Sequence, residues 1–202
     1  MLPAGINCIG AVLAGGKSSR MGCDKASLRI NNESLLLRAR NTLLDAGCCR
    51  VVLSGHIRPD WKWEAIGDIS PDGGPSSGIA STIIWAHEHK LDGAKLIFVP
   101  VDTPLLSSSL LSDLAEVANR GNACTISGHP LPTAIKVTSS AADLSRRINI
   151  DLINGVTWSI KCVLDKLGAT PMPINRKIST QLVNTNTPSD WESLCHELEN
   201  RT

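Results

Sequence analysis

No apolar run in this sequence approaches the ~20 residues needed to cross a bilayer, so a membrane-spanning helix is not expected. Nor does a charged region precede an apolar one at the N-terminus, and no secretory signal is expected there. Cys-x-x-Cys is missing among the seven cysteines, an odd number that includes the adjacent Cys48 and Cys49. That usage fits reduced thiols in the cytoplasm better than a disulfide framework or a zinc site. An excess of one charge is missing too. The net charge is +1, without the basic face or tail of a duplex binder, and no nucleic-acid partner is expected. No linker or internal repeat divides the chain, and no Cys/His or Ser/His/Asp constellation suggests a covalent intermediate. What is present is 42% hydrophobic content over 202 residues, enough for a sizeable core, and residues 1–202 are expected to form one domain.

Strand-like and helix-like segments alternate. Apolar runs at Ile6–Leu13, Arg50–Leu53, Trp63–Ile66, Lys95–Val99, Ala123–Ser127, Thr133–Val137 and Met172–Ile174 read as strands. Glu33–Ala46, stopped by Gly47, reads as a helix, as do Gly78–His89, Ser107–Arg120, Val156–Leu167 and Pro188–Glu199. The alternation predicts an α/β fold, a doubly wound, mostly parallel sheet with helices on both faces. Such sheets take ligands at the carboxyl ends of their strands. Residues 14–25, residues 68–78 and Asp102 all follow expected strands, so one crevice is expected to hold all three.

The stretch Leu13–Lys25 reads Leu-Ala-Gly-Gly-Lys-Ser-Ser-Arg-Met-Gly-Cys-Asp-Lys. Gly15, Gly16 and Gly22 remove side chains where backbone bends or meets a ligand. Ser18, Ser19 and backbone N–H groups offer donors, and Lys17, Arg20 and Lys25 offer positive charge, which together suit a bound triphosphate. It is not a Walker loop: five residues rather than four separate Gly10 from Gly16-Lys17-Ser18. No register of these glycines gives the dinucleotide fingerprint either. An ordinary glycine-containing turn is the alternative, but it has no need of three basic residues.

Asp102 sits just beyond Leu96–Val99, bracketed by Pro100 and Pro104. A carboxylate held there by a rigid strand suits magnesium, which takes one or two protein carboxylates with phosphate oxygens and waters. A cap for the following helix fits the position equally well. Lys25 reads either as a phosphate cation or as a solvated lysine beside Asp24.

The glycine-rich stretch resembles the Leu-Ala-Gly-Gly-x-Ser-x-Arg-Met-Gly-x-Asp-Lys signature of the MobA-like nucleotidyltransferases. Four further segments follow in that family's order. Asp68 opens Asp-Ile-Ser-Pro-Asp-Gly-Gly-Pro-Ser-Ser-Gly-Ile, Pro100–Leu105 reads Pro-Val-Asp-Thr-Pro-Leu, Leu131–Val137 resembles a Pro-Thr strand, and Asn184–Pro188 reads Asn-Thr-Asn-Thr-Pro. Together they reach from Leu13 to Pro188, and within the family they are most similar to the guanylyltransferases of the molybdenum cofactor. The resemblance implies a Rossmann-like nucleotidyltransferase fold, GTP and molybdopterin as substrates, Mg2+ as cofactor, and transient contact with molybdenum-cofactor proteins. It implies that GMP is joined to the pterin with release of pyrophosphate. Carried over residue by residue, Lys25 meets the phosphates, Arg20 assists there or else forks structurally to backbone carbonyls, and Asp102 holds the metal. Leu13, Ala14, Gly15, Gly16, Ser54 and Asp68 approach the nucleotide, with Asp72 competing with Asp68. Asn184 and Asn186 support the second substrate or the metal, or else shape a turn before Pro188.

Departures from the family pattern bear on the base. Ser54 stands where the guanylyl enzymes carry asparagine, which leaves that contact to the base or ribose open, and Ser76-Ser77 replaces Leu-Ala, which implies a more polar loop and a different enclosure of the base. Thr103, where cytidylyl relatives often carry methionine, leans towards guanine. Transfer of CMP to a pterin, transfer to a sugar phosphate, and a non-catalytic nucleotide-binding module therefore stay open. His129, near the Pro-Thr strand, reads as a bland surface histidine, with a position facing the second substrate as the alternative. His87 and His89, two apart on an expected helix, do not share a face, and Trp61 and Trp63 are expected to cover a core edge.

Overall fold

The computed structural model describes residues 8–14, 24–55, 58–71, 73–185 and 187–199. In chain order the elements are β1 (Cys8–Leu13), β2 (Arg29–Ile30), β3 (Glu33–Ser34), α1 (Leu35–Asp45), β4 (Arg50–Ser54), β5 (Ala65–Ile66), α2 (Gly74–Glu88) and β6 (Lys95–Pro100). There follow α3 (Ser108–Arg120), β7 (Ala123–Ile126), β8 (His129–Lys136), α4 (Ser139–Ile153), α5 (Ile160–Lys166), β9 (Thr170–Met172), α6 (Arg176–Ser179) and α7 (Pro188–Glu199). A short turn, Lys25–Ser27, precedes β2.

The main sheet has seven strands in the order β5-β4-β1-β6-β8-β7-β9. β5, β4, β1 and β6 run parallel, β8 runs against both β6 and β7, and β9 returns parallel to β7. Alternation along the central strands divides the core in two. Ile9, Ala11, Leu13, Leu96 and Phe98 face α2, α4 and α5, while Val12, Ile97 and Val99 face α1 and α3. Successive strand residues point to opposite faces, so a strand buried on both sides is apolar along its length, as β1 is and as β6 is from Leu96 to Val99. Helices therefore cover both faces, as the alternation predicts. Gly10 lets α1 approach β1, because a Cβ there would stand 2.8 Å from Leu43 Cδ1.

Several boundaries differ from expectation, each for a local reason. α1 starts at Leu35 because Ser34 accepts from Leu37 N at 3.2 Å, and Glu33-Ser34 is spent in a two-stranded pairing with β2. α2 begins at Gly74, earlier than the expected Gly78, with Pro75 tolerated in its first turn. α5 begins at Ile160 rather than Val156, since Ser159 caps it through Cys162 N at 3.1 Å. β8 begins at His129, ahead of the expected Thr133. Its prolines fall at the register shift opposite Thr125/Ile126, where the ladder needs no donor.

Helix α4 was not expected at all. Thr138 caps it by accepting from Ala141 N at 3.1 Å, and its buried face is Ala141, Ala142, Ser145, Ile148 and Asn149. Small and polar residues on the inner face, with Ile150 and Ile153 exposed, erase the apolar periodicity that would mark the helix. Ser145 Oγ returns its proton to Ala141 O at 2.8 Å. Asn149 is 3% exposed, and neither side-chain polar atom finds a hydrogen-bond partner among the described residues. A buried amide of that kind costs about 1–3 kcal/mol. Asn149→Leu is therefore expected to raise Tm by roughly 3–6 °C in calorimetry. A lower Tm would show instead that ordered water completes the site.

Candidate active site

In an open α/β sheet the crevice lies where the strand order reverses. Here that point is between β1 and β6: from β1 the chain proceeds outward to β4, and it returns on the other side as β6. Leu13 pairs with Ser54 on one side and Pro100 on the other, and Val101 N donates to Leu13 O at 3.3 Å. A cleft of about 360 Å³ opens at these strand ends, bounded by Leu13, Ala14, Lys25, Pro75, Asp102 and Asn184. Asp24 and His129 also face it.

Lys25 and Asp102, 77 positions apart, meet in this cleft with Nζ 3.0 Å from Oδ2. Their side chains are 14% and 22% exposed. The pairing removes one alternative from each open reading. Lys25 does not pair with its neighbour Asp24, which is engaged by Arg58. Asp102 does not cap the next helix either: α3 starts at Ser108 with Ser107 Oγ accepting from Leu110 N at 3.3 Å.

The surrounding chain holds the Asp102 turn. Its backbone carbonyl accepts from Thr185 N at 3.0 Å and from Thr185 Oγ1 at 3.3 Å, so the Asn-Thr-Asn-Thr-Pro segment is tied to it and Asn184 reaches the cleft. Thr187 and Asp190 cap α7 reciprocally, at 2.8 and 3.2 Å. Arg38 Nε donates to Pro104 O at 2.8 Å. Neither Thr185 nor Arg38 was singled out in the sequence; Thr185 was legible only as the residue between two asparagines.

On the far side of Leu13, α2 comes so close that a Cβ on Gly78 would stand 2.8 Å from Ser54 Oγ and 3.3 Å from both Asp68 Oδ1 and Leu13 Cδ2. Leu13, Ser54 and Asp68 are thus gathered around one glycine. Ser54 is buried and hydrogen-bonded to Thr82 Oγ1 at 3.0 Å. The expectation that Ser76 and Ser77 make a more polar loop around the base is corrected. Both are buried, Ser76 donating to Trp158 O at 2.6 Å and Ser77 accepting from Ser70 N at 3.2 Å. They face the protein because the backbone of the connecting segments needs those partners. Thr103 likewise turns inward, donating to Pro100 O at 3.1 Å.

Gly15, Gly16, Arg20 and Asn186, with Lys17, Ser18, Ser19, Gly22 and Asp72, lie outside the described residues. Among the described residues no cluster of three or more His, Cys, Asp or Glu side chains could hold a metal. His87 pairs with Asp92 and His89 with Trp85 O, both at 2.8 Å. Trp61 and Trp63 stack edge to face at 5.1 Å, with Arg40 3.7 Å over Trp63. Among the described residues Cys8, Cys48, Cys49, Cys124 and Cys162 are free thiols, and no helix there is long and apolar enough to cross a membrane.

The Arg58 guanidinium bonded to Asp24 holds that carboxyl below the usual carboxylate range. A depressed folded value means the ionised form is the better-held one. The contact's contribution to stability is then present above pH ~4 and lost as pH falls through the lower folded value. Acid titration of Asp24→Asn is expected to lack this component as the pH falls below about 4, as followed by thermal unfolding beside the wild type.

Residues 10–149 match the family model described as the MobA-like NTP transferase domain. A molybdenum cofactor guanylyltransferase of Xanthomonas euvesicatoria is 34% identical over 188 residues, covering 93% of this chain and 94% of its own. Among solved structures, molybdopterin-guanine dinucleotide biosynthesis protein A from Archaeoglobus fulgidus superposes with a TM-score of 0.74 at 19% identity, over 96% of this chain and 100% of that one. The 2-C-methyl-D-erythritol 4-phosphate cytidylyltransferase of Thermus thermophilus shares the fold with a TM-score of 0.62 at 13% identity, over 94% and 98%. With its switch-point cleft, its early lysine and its mid-chain aspartate, this chain belongs to the MobA-like NTP transferase family.

Proposed function

We propose that this protein transfers GMP from GTP to molybdopterin, releasing pyrophosphate and giving the guanine dinucleotide form of the molybdenum cofactor. The observation that carries the reading is the Lys25–Asp102 pair at the mouth of the switch-point cleft. A triphosphate and its divalent ion are a complementary pair of charges, and so are this ammonium and this carboxylate. On binding, Lys25 turns to a phosphate oxygen and Asp102 to the metal.

The donor set fits Mg2+. Among the described residues the cleft presents Asp102 without a surrounding cage of carboxylates, which is how magnesium is held when phosphates and waters supply its other ligands. When bound, the metal neutralises charge on the phosphates and orients them. Lys25 stabilises charge that builds on the leaving pyrophosphate. By their place in the sequence motif, Gly15, Gly16 and Arg20 add contacts to the same phosphates. Leu13, Ala14, Ser54 and Asp68 lie towards the nucleoside, and Asn184 with Asn186 towards the acceptor or the metal. An oxygen of the pterin's terminal phosphate attacks the α-phosphorus, and the bond to the β-phosphate oxygen breaks. No protein nucleophile is needed. Free thiols and the absence of a helix fit to span a bilayer, both among the described residues, are consistent with a cytoplasmic enzyme.

Pyrophosphate release measured with each of the four nucleoside triphosphates, with and without molybdopterin, tests the reading. Release with GTP only when the pterin is present is expected. Release with CTP instead would make this a cytidylyltransferase, and binding without release would make it a nucleotide carrier.

A further inference from the structure

Arg58 lies in the stretch after β4, outside every motif that marks the cleft, yet it reaches Asp24, 34 positions earlier. Nη1 donates to Asp24 Oδ1 at 3.1 Å and Nη2 to Asp24 Oδ2, the two-pronged fit of guanidinium to carboxylate. Along its other edge Nε donates to Asp60 Oδ1 at 3.0 Å and Nη2 to Asp60 Oδ2 at 3.1 Å. Arg58 is the covered partner, its side chain 16% exposed against 46% for Asp24.

Asp24 uses the rest of its acceptor capacity locally. Oδ1 accepts from Ala26 N at 3.2 Å and Oδ2 from Ser27 Oγ at 2.9 Å. The carboxylate therefore caps the Lys25–Ser27 turn. Although it borders the cleft, it is occupied by protein donors and is not offered to a metal as Asp102 is. The turn is anchored behind by Ala26, which is buried in the core on the α1 side. At its front end, among the described residues, the Asp24 carboxylate caps it, and Lys25 is the next residue.

We propose that Arg58 is a positioning residue for nucleotidyl transfer: it clamps Asp24 across the front of the Lys25–Ser27 turn and so holds the Lys25 ammonium at its place beside Asp102. This rests on the function proposed above. Arg58 itself touches neither phosphate nor metal. Its effect is on kcat, because a reacting cation misplaced by about an ångström costs up to ~100-fold in rate while much of the nucleotide's binding surface is kept.

The test is steady-state turnover of the full chain with GTP, Mg2+ and molybdopterin, together with hydrogen exchange at the Ala26 amide. Arg58→Ala is expected to lower kcat by roughly 30–100-fold, with KM for GTP within ~3-fold of wild type. In an Asp24→Asn background the same change is expected to cost less than ~2-fold, since Arg58 acts through Asp24. Millimolar guanidinium should restore part of the lost turnover in Arg58→Ala but not in the double variant. Exchange at Ala26 should accelerate in Arg58→Ala at least ~10-fold. An unchanged kcat, an equal loss in the Asp24→Asn background, or a change confined to KM for GTP would overturn the proposal. If wild-type protein turned over none of the four nucleotides, the functional reading would fail on its own. Ala26 exchange would then still decide whether Arg58 holds the turn. Arg58→Lys, which keeps the charge without the fork, carries the same comparisons should the alanine variant not fold.

Discussion

Asp102→Asn is expected to reduce turnover by at least ~10³-fold while leaving the fold and its melting temperature nearly intact. Asparagine keeps the shape but not the charge, and a neutral amide is a poor ligand for a hard divalent ion. Removal of the ligand takes away both the metal's placement and the charge it supplies to the phosphates. The fold survives because its link to this turn is through backbone: the Asp102 carbonyl, not the carboxylate, accepts from Thr185. The lost ion pair with Lys25 lies partly in solvent and is worth about 1 kcal/mol at most, or roughly 2–4 °C for a chain of this size. Turnover and calorimetry on the same preparation separate the two effects. Near-wild-type turnover would remove Asp102 from the chemistry.

Lys25→Met carries the second-largest effect. Methionine keeps much of the stem and loses the ammonium, so the loss of a preorganised cation beside the phosphates should lower kcat by about 10²–10³-fold. KM for GTP is expected to rise as well, because the same ammonium meets the phosphates in the ground state. Asp102 is then left without its 3.0 Å partner, and affinity for the metal in the absence of nucleotide should change little or rise. Titration with Mn2+ followed by relaxation of water protons reads that directly. A variant with wild-type kcat and raised KM alone would limit Lys25 to uniform binding.

What the sequence revealed, and what it hid, follows from how each feature is encoded. The cleft was legible because Leu13, Lys25 and Asp102 sit in contiguous motifs at strand ends, and a parallel sheet sends such ends to one edge. Direction within the sheet was not. β8 is as apolar at Thr133–Val137 as a parallel strand would be, and only the Ser127-Gly128 connection to β7, with Gly128 at φ +80°, marks its reversal. α4 was hidden because its inner face carries Ser145 and Asn149 in place of leucines. Ser76 and Ser77 mislead, since a hydroxyl that satisfies loop backbone looks in sequence like one offered to a ligand. Arg58 could not be found from sequence, because its importance lies in a carboxylate 34 residues away, and Arg-Pro-Asp is ordinary turn chemistry.

The central claim is that Lys25 and Asp102 address the same polyphosphate and its ion. A crystal structure with GTP and Mn2+, the metal located by anomalous scattering, measures this most directly. The expected result is a peak about 2.1 Å from an Asp102 carboxylate oxygen, shared with the triphosphate, and the Lys25 ammonium within hydrogen-bond distance of a phosphate oxygen. A nucleotide bound away from the β1–β6 junction, or a metal that does not touch Asp102, would contradict it.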